Sequence, residues 1–255
     1  MAYFLRGDCN NISSQNWSFS SIYFNARSLP KNHDRITTLL VFLNHQFSAI
    51  CCSETWLSPG HGDLYGFLEY ISKYSHRTDD RHGGSAIYIS KNILYKRGND
   101  LNLNVAKCEA LWLEIDLPGL CQNQRKTILA TVYRSPSSDP SAFCNALHHL
   151  LDKLTAERKN IIIMGDMNFD LLDSCNHSAL EYTTCFHSFG FKSLISVPTR
   201  CSDNGSRSSI DHILTIIDDV SHAGVTESDI TDHLPAFLYF EQVITRSNII
   251  SQKYG

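Results

Sequence analysis

Long apolar runs are missing from this sequence: no stretch approaches the roughly 18 apolar residues that a membrane-crossing helix needs. The opening residues place Arg6 and Asp8 where a secretory leader requires an apolar core, so no signal peptide is expected. Charge is scarce as well. Asp, Glu, Lys and Arg make up 19% of the 255 residues, too few for a self-repelling disordered chain, while 42% hydrophobic residues suffice for a sizeable core. No basic excess exists, because the formal net charge is −4, which excludes a tight non-specific grip on nucleic acid by overall charge. The nine cysteines are an odd count without a Cys-x-x-Cys pair. With Cys51 and Cys52 adjacent in an apolar run, all nine are expected as reduced thiols of an intracellular protein. The four Asn-x-Ser tripeptides, at Asn11, Asn16, Asn176 and Asn204, are read as chance matches. Also absent are His-Glu-x-x-His, Gly-x-Ser-x-Gly and a Walker-type glycine loop, which removes three common hydrolytic and nucleotide-binding schemes.

What is present is a succession of short β-rich runs: 21–24, 48–52, 86–90, 111–115, 127–133, 160–164, 210–216 and 236–240. Helical spacing interrupts them. Ile36, Leu39, Leu40 and Leu43 follow i, i+3, i+4, i+7, and Phe143, Leu147, Leu150, Leu151 and Leu154 make a second stripe. The second helix has Asp139 as N-cap and Pro140 at its first position. A third is predicted to open on the capping box Ser178-x-x-Glu181 and to stop near Gly190. Strands over the whole length with few helices between them predict a layered α/β sandwich. The expected domain spans residues 20–241, after an N-terminal extension of 1–19 and before a linker or tail of 242–255. Between Lys73 and Arg97 six basic residues, Arg77 and Arg81 among them, face only Asp79 and Asp80. This stretch is either a solvated loop and strand edge or a phosphate-facing patch.

Polar residues punctuate the strand ends. The run Asn160–Met164 meets a glycine, Gly165, and then presents Asp166 and Asn168, which share a side in extended chain. Glu54 follows 48–52, Asn25 closes 22–24, and Tyr133-Arg134 closes 128–132. Asp211-His212 opens one late run, and Asp232-His233 precedes the last. Each alone is an ordinary strand-ending turn or surface acid. Together they supply an oxygen ligand for a hard cation, a water-orienting carboxylate, donors to a phosphate, and a histidine poised by a carboxylate, which phosphate-ester hydrolysis requires.

The ordered series Phe24-Asn25-Ala26-Arg27-Ser28-Leu29, Ser53-Glu54-Thr55-Trp56, Gly83-Gly84-x-Ala86-Ile87-Tyr88, Leu111-Trp112-x-Glu114-Ile115, Val132-Tyr133-Arg134-x-Pro136, Ile163-Met164-Gly165-Asp166-x-Asn168, Pro198-Thr199-Arg200, Ile210-Asp211-His212-Ile213 and Asp232-His233-x-Pro235 resembles the endonuclease of LINE-type, non-LTR retrotransposons. That family lies within the exonuclease–endonuclease–phosphatase superfamily. The resemblance implies a four-layer α/β sandwich of two packed mixed sheets flanked by helices. It implies a DNA endonuclease that leaves a 3′-hydroxyl to prime reverse transcription, with magnesium, or manganese, as cofactor. By the same resemblance Glu54 binds the metal, with Asn25 and Asp232 in or near its shell, Asp166 orients the attacking water with Asn168 in support, and Tyr133 donates to the phosphate. Asp211 pairs with His233, which contacts the scissile phosphate, and Thr199, Arg134, Arg77 and Arg81 become DNA-contact candidates. The implied partners are target DNA and a reverse-transcriptase domain of the same polyprotein, with action in the nucleus and with neither membrane nor small-molecule cofactor. Some positions depart from the pattern. Arg27 stands where AP endonucleases carry an acid, Thr231 replaces a serine, Met167 a phenylalanine, and Ser135 a proline. His212 matches no catalytic position and is expected to face away. Two other readings remain, a phosphomonoesterase of the same superfamily and a domesticated domain that binds DNA without cutting.

Overall fold

The computed structural model describes residues 3–4, 17–77, 82–98, 100–117, 126–218 and 220–241. Arg81 and the expected tail lie outside the described residues. Among the described residues there are fifteen strands: β1 (Tyr3–Phe4), β2 (Trp17–Asn25), β3 (Ala49–Ser53), β4 (Tyr70–Ser75), β5 (Ser85–Ser90), β6 (Tyr95–Arg97), β7 (Cys108–Asp116), β8 (Lys126–Arg134), β9 (Asn160–Asp166), β10 (Lys192–Ser193), β11 (Arg200–Cys201), β12 (Arg207–Ser208), β13 (Asp211–Thr215), β14 (Val220–Thr226) and β15 (Ala236–Glu241). Three α-helices accompany them among the described residues, α1 (Leu29–Phe42), α2 (Pro140–Ala156) and α3 (His177–Ser188). Besides the separate β11-β12 pair there are two large sheets, one running β1-β14-β15-β2-β3-β5-β4 and the other β10-β13-β9-β8-β7-β6. Both are mixed: β2–β3 and β8–β9 are parallel, while β15–β2 and β13–β9 are antiparallel.

Period-two alternation explains the layering, because neighbouring residues on a strand face opposite sides. In β2, Tyr23 points between the sheets while Ile22 and Phe24 pack outwards under α1 with Ile36, Leu39 and Leu43. In β9, Ile162 and Met164 join the inter-sheet core while Ile161 and Ile163 meet α2 and α3, beside Phe143, Leu147 and Tyr182. Each sheet is thus apolar on both faces, and the order helix, sheet, sheet, helix follows.

The helix caps agree with the sequence in one case and not in another. Asp139 accepts from the Ala142 N–H at 2.9 Å, as its N-cap position predicts. The capping box at Ser178 does not form, because Asn176 takes the Ala179 N–H at 3.1 Å and starts α3 two residues earlier. The strands β4 and β14 were not legible as apolar runs. The chain also enters its sheet at Trp17, before the expected boundary at residue 20, and Tyr3–Phe4 pairs with Val225–Thr226. The seven cysteines among the described residues are free thiols. None of the described helices is long and apolar enough to cross a membrane.

Candidate active site

Strand register places the strand-end polar residues in two facing rows. Tyr133 of β8 stands opposite Asp166 of β9, which stands opposite Asp211 of β13. In the other sheet Asn25 of β2 stands opposite Ser53 of β3. One amide joins the rows, since Asn25 Nδ2 donates to Asp166 Oδ2 at 2.9 Å and to Glu54 Oε1 at 2.8 Å. Arg27, Glu54, Trp56 and Asn168 all have positive φ, between 38° and 52°. Side chains other than glycine adopt that region at a cost, and such strain gathers where geometry serves a site.

The strand β9 does not stop at Gly165 but runs through it. A Cβ there would overlap the Val132 carbonyl oxygen of the neighbouring parallel strand. Only hydrogen lets β8 and β9 approach closely enough to bring Tyr133 beside Asp166. Gly165→Ala is therefore expected to destabilise the fold by about 3 kcal/mol, read as a lowered denaturation midpoint. A midpoint equal to wild type would show that the strands have room to part.

Asp211 and His233 meet at the rim. His233 Nδ1 lies 2.8 Å from Asp211 Oδ2, and both residues are buried. Burial alone would depress the imidazole pKa, but Asp211, with Asp166 and Asp232 behind it, carries it up to about 9. The histidine is thus a buried imidazolium at neutral pH. Thr231, in place of serine, keeps the loop closed: its hydroxyl accepts the His233 N–H at 3.1 Å and donates to the Asn25 carbonyl at 3.3 Å. Asp166 has the opposite perturbation. Burial first, then the charges of Asp211 and Glu54, hold its carboxyl well above the usual carboxylate range. Its Oδ1 accepts the Asn168 N–H at 3.0 Å, and Asn168 Nδ2 ties the turn to the Arg134 carbonyl at 2.7 Å.

Some of these residues suit a divalent cation and others do not. Asp166, Asp211 and His233 offer ligand atoms within 4.8 Å of one another, yet His233 Nδ1 and Asp211 Oδ2 are already engaged with each other at 2.8 Å. Glu54 is half-buried, and its Oε2 has no hydrogen-bond partner among the described residues. A hard, partly hydrated cation suits that oxygen, and the crowding of Glu54, Asp166 and Asp211 calls for positive charge. Glu54 therefore fits the group. Asp232 does not, because Arg27 Nη1 holds its Oδ1 at 2.6 Å and Arg200 Nε its Oδ2 at 2.8 Å. Asn25 also lacks a ligand's geometry, since its Oδ1 accepts the Arg27 N–H at 3.2 Å while its nitrogen faces the carboxylates.

Three expected DNA contacts turn inwards instead. Arg134 is buried, donating to the carbonyls of Met167, Asn168 and Ser138 and lying 4.1 Å over the Phe169 ring, so it builds the loop that carries Asp166 and Asn168. Thr199 is fully buried, and its hydroxyl oxygen takes the N–H groups of Ile210 and Asp211. Arg77 is an internal partner of Glu109, at 2.6 Å from Nε and 3.0 Å from Nη2. His212 faces the helices, stacked on Tyr182, with its pKa lowered by burial to about 4.

Glu109 is the residue that sequence reasoning missed. It stands opposite Tyr133 in the β7–β8 register, accepts the Gly84 N–H at 3.1 Å, and fixes the Arg77 guanidinium 5.7 Å over the Tyr133 ring. A Cβ on Gly83 would lie 2.6 Å from its carboxylate, which explains one glycine of the Gly83-Gly84 pair. A signal was available: Glu109 shares the inward face of β7 with Leu111, Leu113 and Ile115, where a lone acid demands a partner. Tyr133 itself makes no hydrogen bond through its hydroxyl among the described residues. Burial and the charges of Glu54 and Asp166 keep that hydroxyl protonated.

Comparison with known proteins accords with this arrangement. The profile of the Endonuclease/Exonuclease/phosphatase family matches residues 11–228. Among solved structures, the endonuclease domain of TRAS1, a telomere-specific non-LTR retrotransposon, superposes with a TM-score of 0.67 at 14% identity, over 88% of this chain and 99% of that one. The 3′ phosphatase NExo from Neisseria, bound to product DNA hairpin, gives 0.64 at 14% identity, over 88% and 99%. The AP endonuclease LMAP from Leishmania major gives 0.65 at 13% identity, over 88% and 87%. No curated protein matches by sequence. At these identities the structures establish a shared fold, the DNase I-like α/β sandwich, and the profile establishes descent: the chain belongs to the Endonuclease/Exonuclease/phosphatase family.

Proposed function

We propose that this chain is a divalent-cation-dependent DNA endonuclease of the non-LTR retrotransposon type, nicking target DNA and leaving a 3′-hydroxyl for reverse transcription. The observation that carries the reading is the buried Asp211–His233 pair, set at one rim with Asp166 and a Tyr133 hydroxyl that has no partner among the described residues. The TRAS1 likeness and the DNA in the NExo structure support DNA as the substrate. On this reading the further partner is a reverse-transcriptase domain of the same polyprotein, and the chain acts in the nucleus.

In this mechanism the ionised form of Asp166 takes a proton from the attacking water, whose oxygen bonds to phosphorus. The P–O3′ bond breaks, and O3′ leaves with a proton from solvent. His233, through Nε2, and Tyr133, through its hydroxyl, donate to the non-bridging oxygens as charge builds there. A magnesium or manganese ion at Glu54 would add charge neutralisation on the phosphate. Asn25 holds Glu54 and Asp166 at fixed separation.

The test is conversion of supercoiled plasmid to open circle, with magnesium, with manganese and with excess EDTA. Nicking is expected only with the cation, and Glu54→Ala should lower it by at least about 100-fold. The nicked product should be extended directly by a polymerase, which requires a 3′-hydroxyl. Full activity in EDTA would overturn the cation dependence. Preferential cleavage of p-nitrophenyl phosphate would favour a phosphomonoesterase, and DNA binding without cutting would favour a silent domain.

A further inference from the structure

Beside the proposed catalytic dyad lies a cluster that the mechanism above does not use. Arg27, two residues beyond Asn25, and Arg200 of β11 both reach Asp232, one on each carboxylate oxygen. The elements are far apart in sequence but tied together locally. Arg200 forms a backbone bridge with His233, and the Cys201 N–H donates to the Asp232 carbonyl at 2.8 Å. Asp232 Oδ1 is 3.9 Å from His233 Nε2, so the cluster stands on the side of the imidazole away from Asp211.

We propose that Arg27 and Arg200 form a clamp for one backbone phosphate of the DNA, within a nucleotide of the cut; this rests on the nuclease reading given above. Each guanidinium has five N–H donors in a planar fork. Among the described residues the side chain of Arg27 uses only Nη1 and that of Arg200 only Nε, both on Asp232. The remaining donors are unpartnered, and the side chains are 42% and 32% exposed. One carboxylate between two guanidiniums leaves a net positive charge, beside a His233 whose own charge is matched by Asp211. A divalent cation is repelled from such a place, whereas a phosphate fits it. Asp232 serves to hold both forks in position before the ligand arrives, which lowers the entropy lost on binding. The backbone of Arg27 is itself fixed at φ 38°, with its N–H on Asn25 Oδ1. A chain of net charge −4 has few places where a phosphate can be gripped, and this one adjoins the chemistry.

The test reads binding without cleavage. A fluorescein-labelled DNA duplex is titrated with the chain in EDTA, by anisotropy, at salt concentrations from about 50 to 200 mM. Arg27→Ala and Arg200→Ala should each weaken binding about tenfold. Each should flatten the log–log salt dependence by about one unit, the equivalent of one phosphate contact. Because both residues hold the same phosphate, the double variant should also lose about one unit, not two. Arg27→Lys keeps the charge but not the fork, and should retain the wild-type slope with affinity between wild type and Arg27→Ala. It also retains the ion pair with Asp232, so it decides the matter if Arg27→Ala melts. Variants that bind with wild-type affinity and slope would overturn the clamp and leave a purely structural ion pair. A wild type without salt-sensitive DNA binding would instead overturn the nuclease reading itself.

Discussion

His233→Ala is expected to abolish detectable nicking while the fold survives, and Asp211→Asn to cost nearly as much. The imidazole sits 2.8 Å from a fully buried carboxylate, with its pKa raised to about 9. Below that pH it presents a fixed positive charge and an N–H to a phosphate whose charge grows in the transition state, worth on the order of 10²–10⁴ in rate. Because the folded-state pKa lies above the free value of about 6.5, the pair stabilises the fold fully below that free value. This contribution fades as the pH rises through about 9. Nicking should fall over the same upper range as the imidazolium is lost. Asp211→Asn removes the main charge that holds the proton, while burial, which opposes it, remains. An NMR titration of His233 in that variant should show the pKa well below the wild-type value. The two losses should not multiply, because the residues act as one unit. A double variant whose rate loss equals the product of the single losses would show that they act independently. A His233 pKa unchanged by Asp211→Asn would refute the electrostatic coupling.

The contrast between these residues and the arginines shows what one sequence can display. Asp166, Asn25 and Tyr133 were legible because each ends an apolar run, and Asp211 because it opens one; strand register does the rest. Neighbouring strands that end together must place their last side chains in one row. Arg77, Arg134 and Thr199 could not be placed in the same way. Their polar groups are satisfied by Glu109, by the carbonyls of Met167, Asn168 and Ser138, and by the N–H groups of Ile210 and Asp211. A basic residue in sequence declares a charge but not the partner that absorbs it, and here the partners lie up to 34 positions away. The Arg27–Asp232–Arg200 cluster spans 205 positions and was beyond reach for the same reason. Among the elements, β4 and β14 escaped because Tyr70–Ser75 and Val220–Thr226 mix serine, lysine, histidine and glycine into half-buried strands. Their place in the sheet comes from pairing with β5 and β15, not from an apolar pattern of their own.

Asp166→Asn should lower single-turnover nicking by about 10³ to 10⁴, with a melting temperature within a few degrees of wild type. The asparagine is nearly isosteric and can still accept one of the two donors that converge on Asp166, Asn25 Nδ2 and the Asn168 N–H. Loss of the other hydrogen bond costs about 1 kcal/mol. Against that stands the removal of a carboxyl that burial and the charges of Asp211 and Glu54 already disfavour as an anion. A site crowded in this way is held against its own repulsion by the surrounding fold, so neutralising one member relieves strain as it removes function. The chemical loss has no such offset, since an amide cannot take a proton from water. Asp166→Ala separates the two effects: it is equally inactive, but it leaves two buried donors without an acceptor and should melt several degrees lower. Nicking by Asp166→Asn within tenfold of wild type would remove Asp166 from the proton-accepting role. The acceptor would then have to be sought among the groups that face it, with Asp211 the first to test, because its Oδ1 is buried without a partner among the described residues.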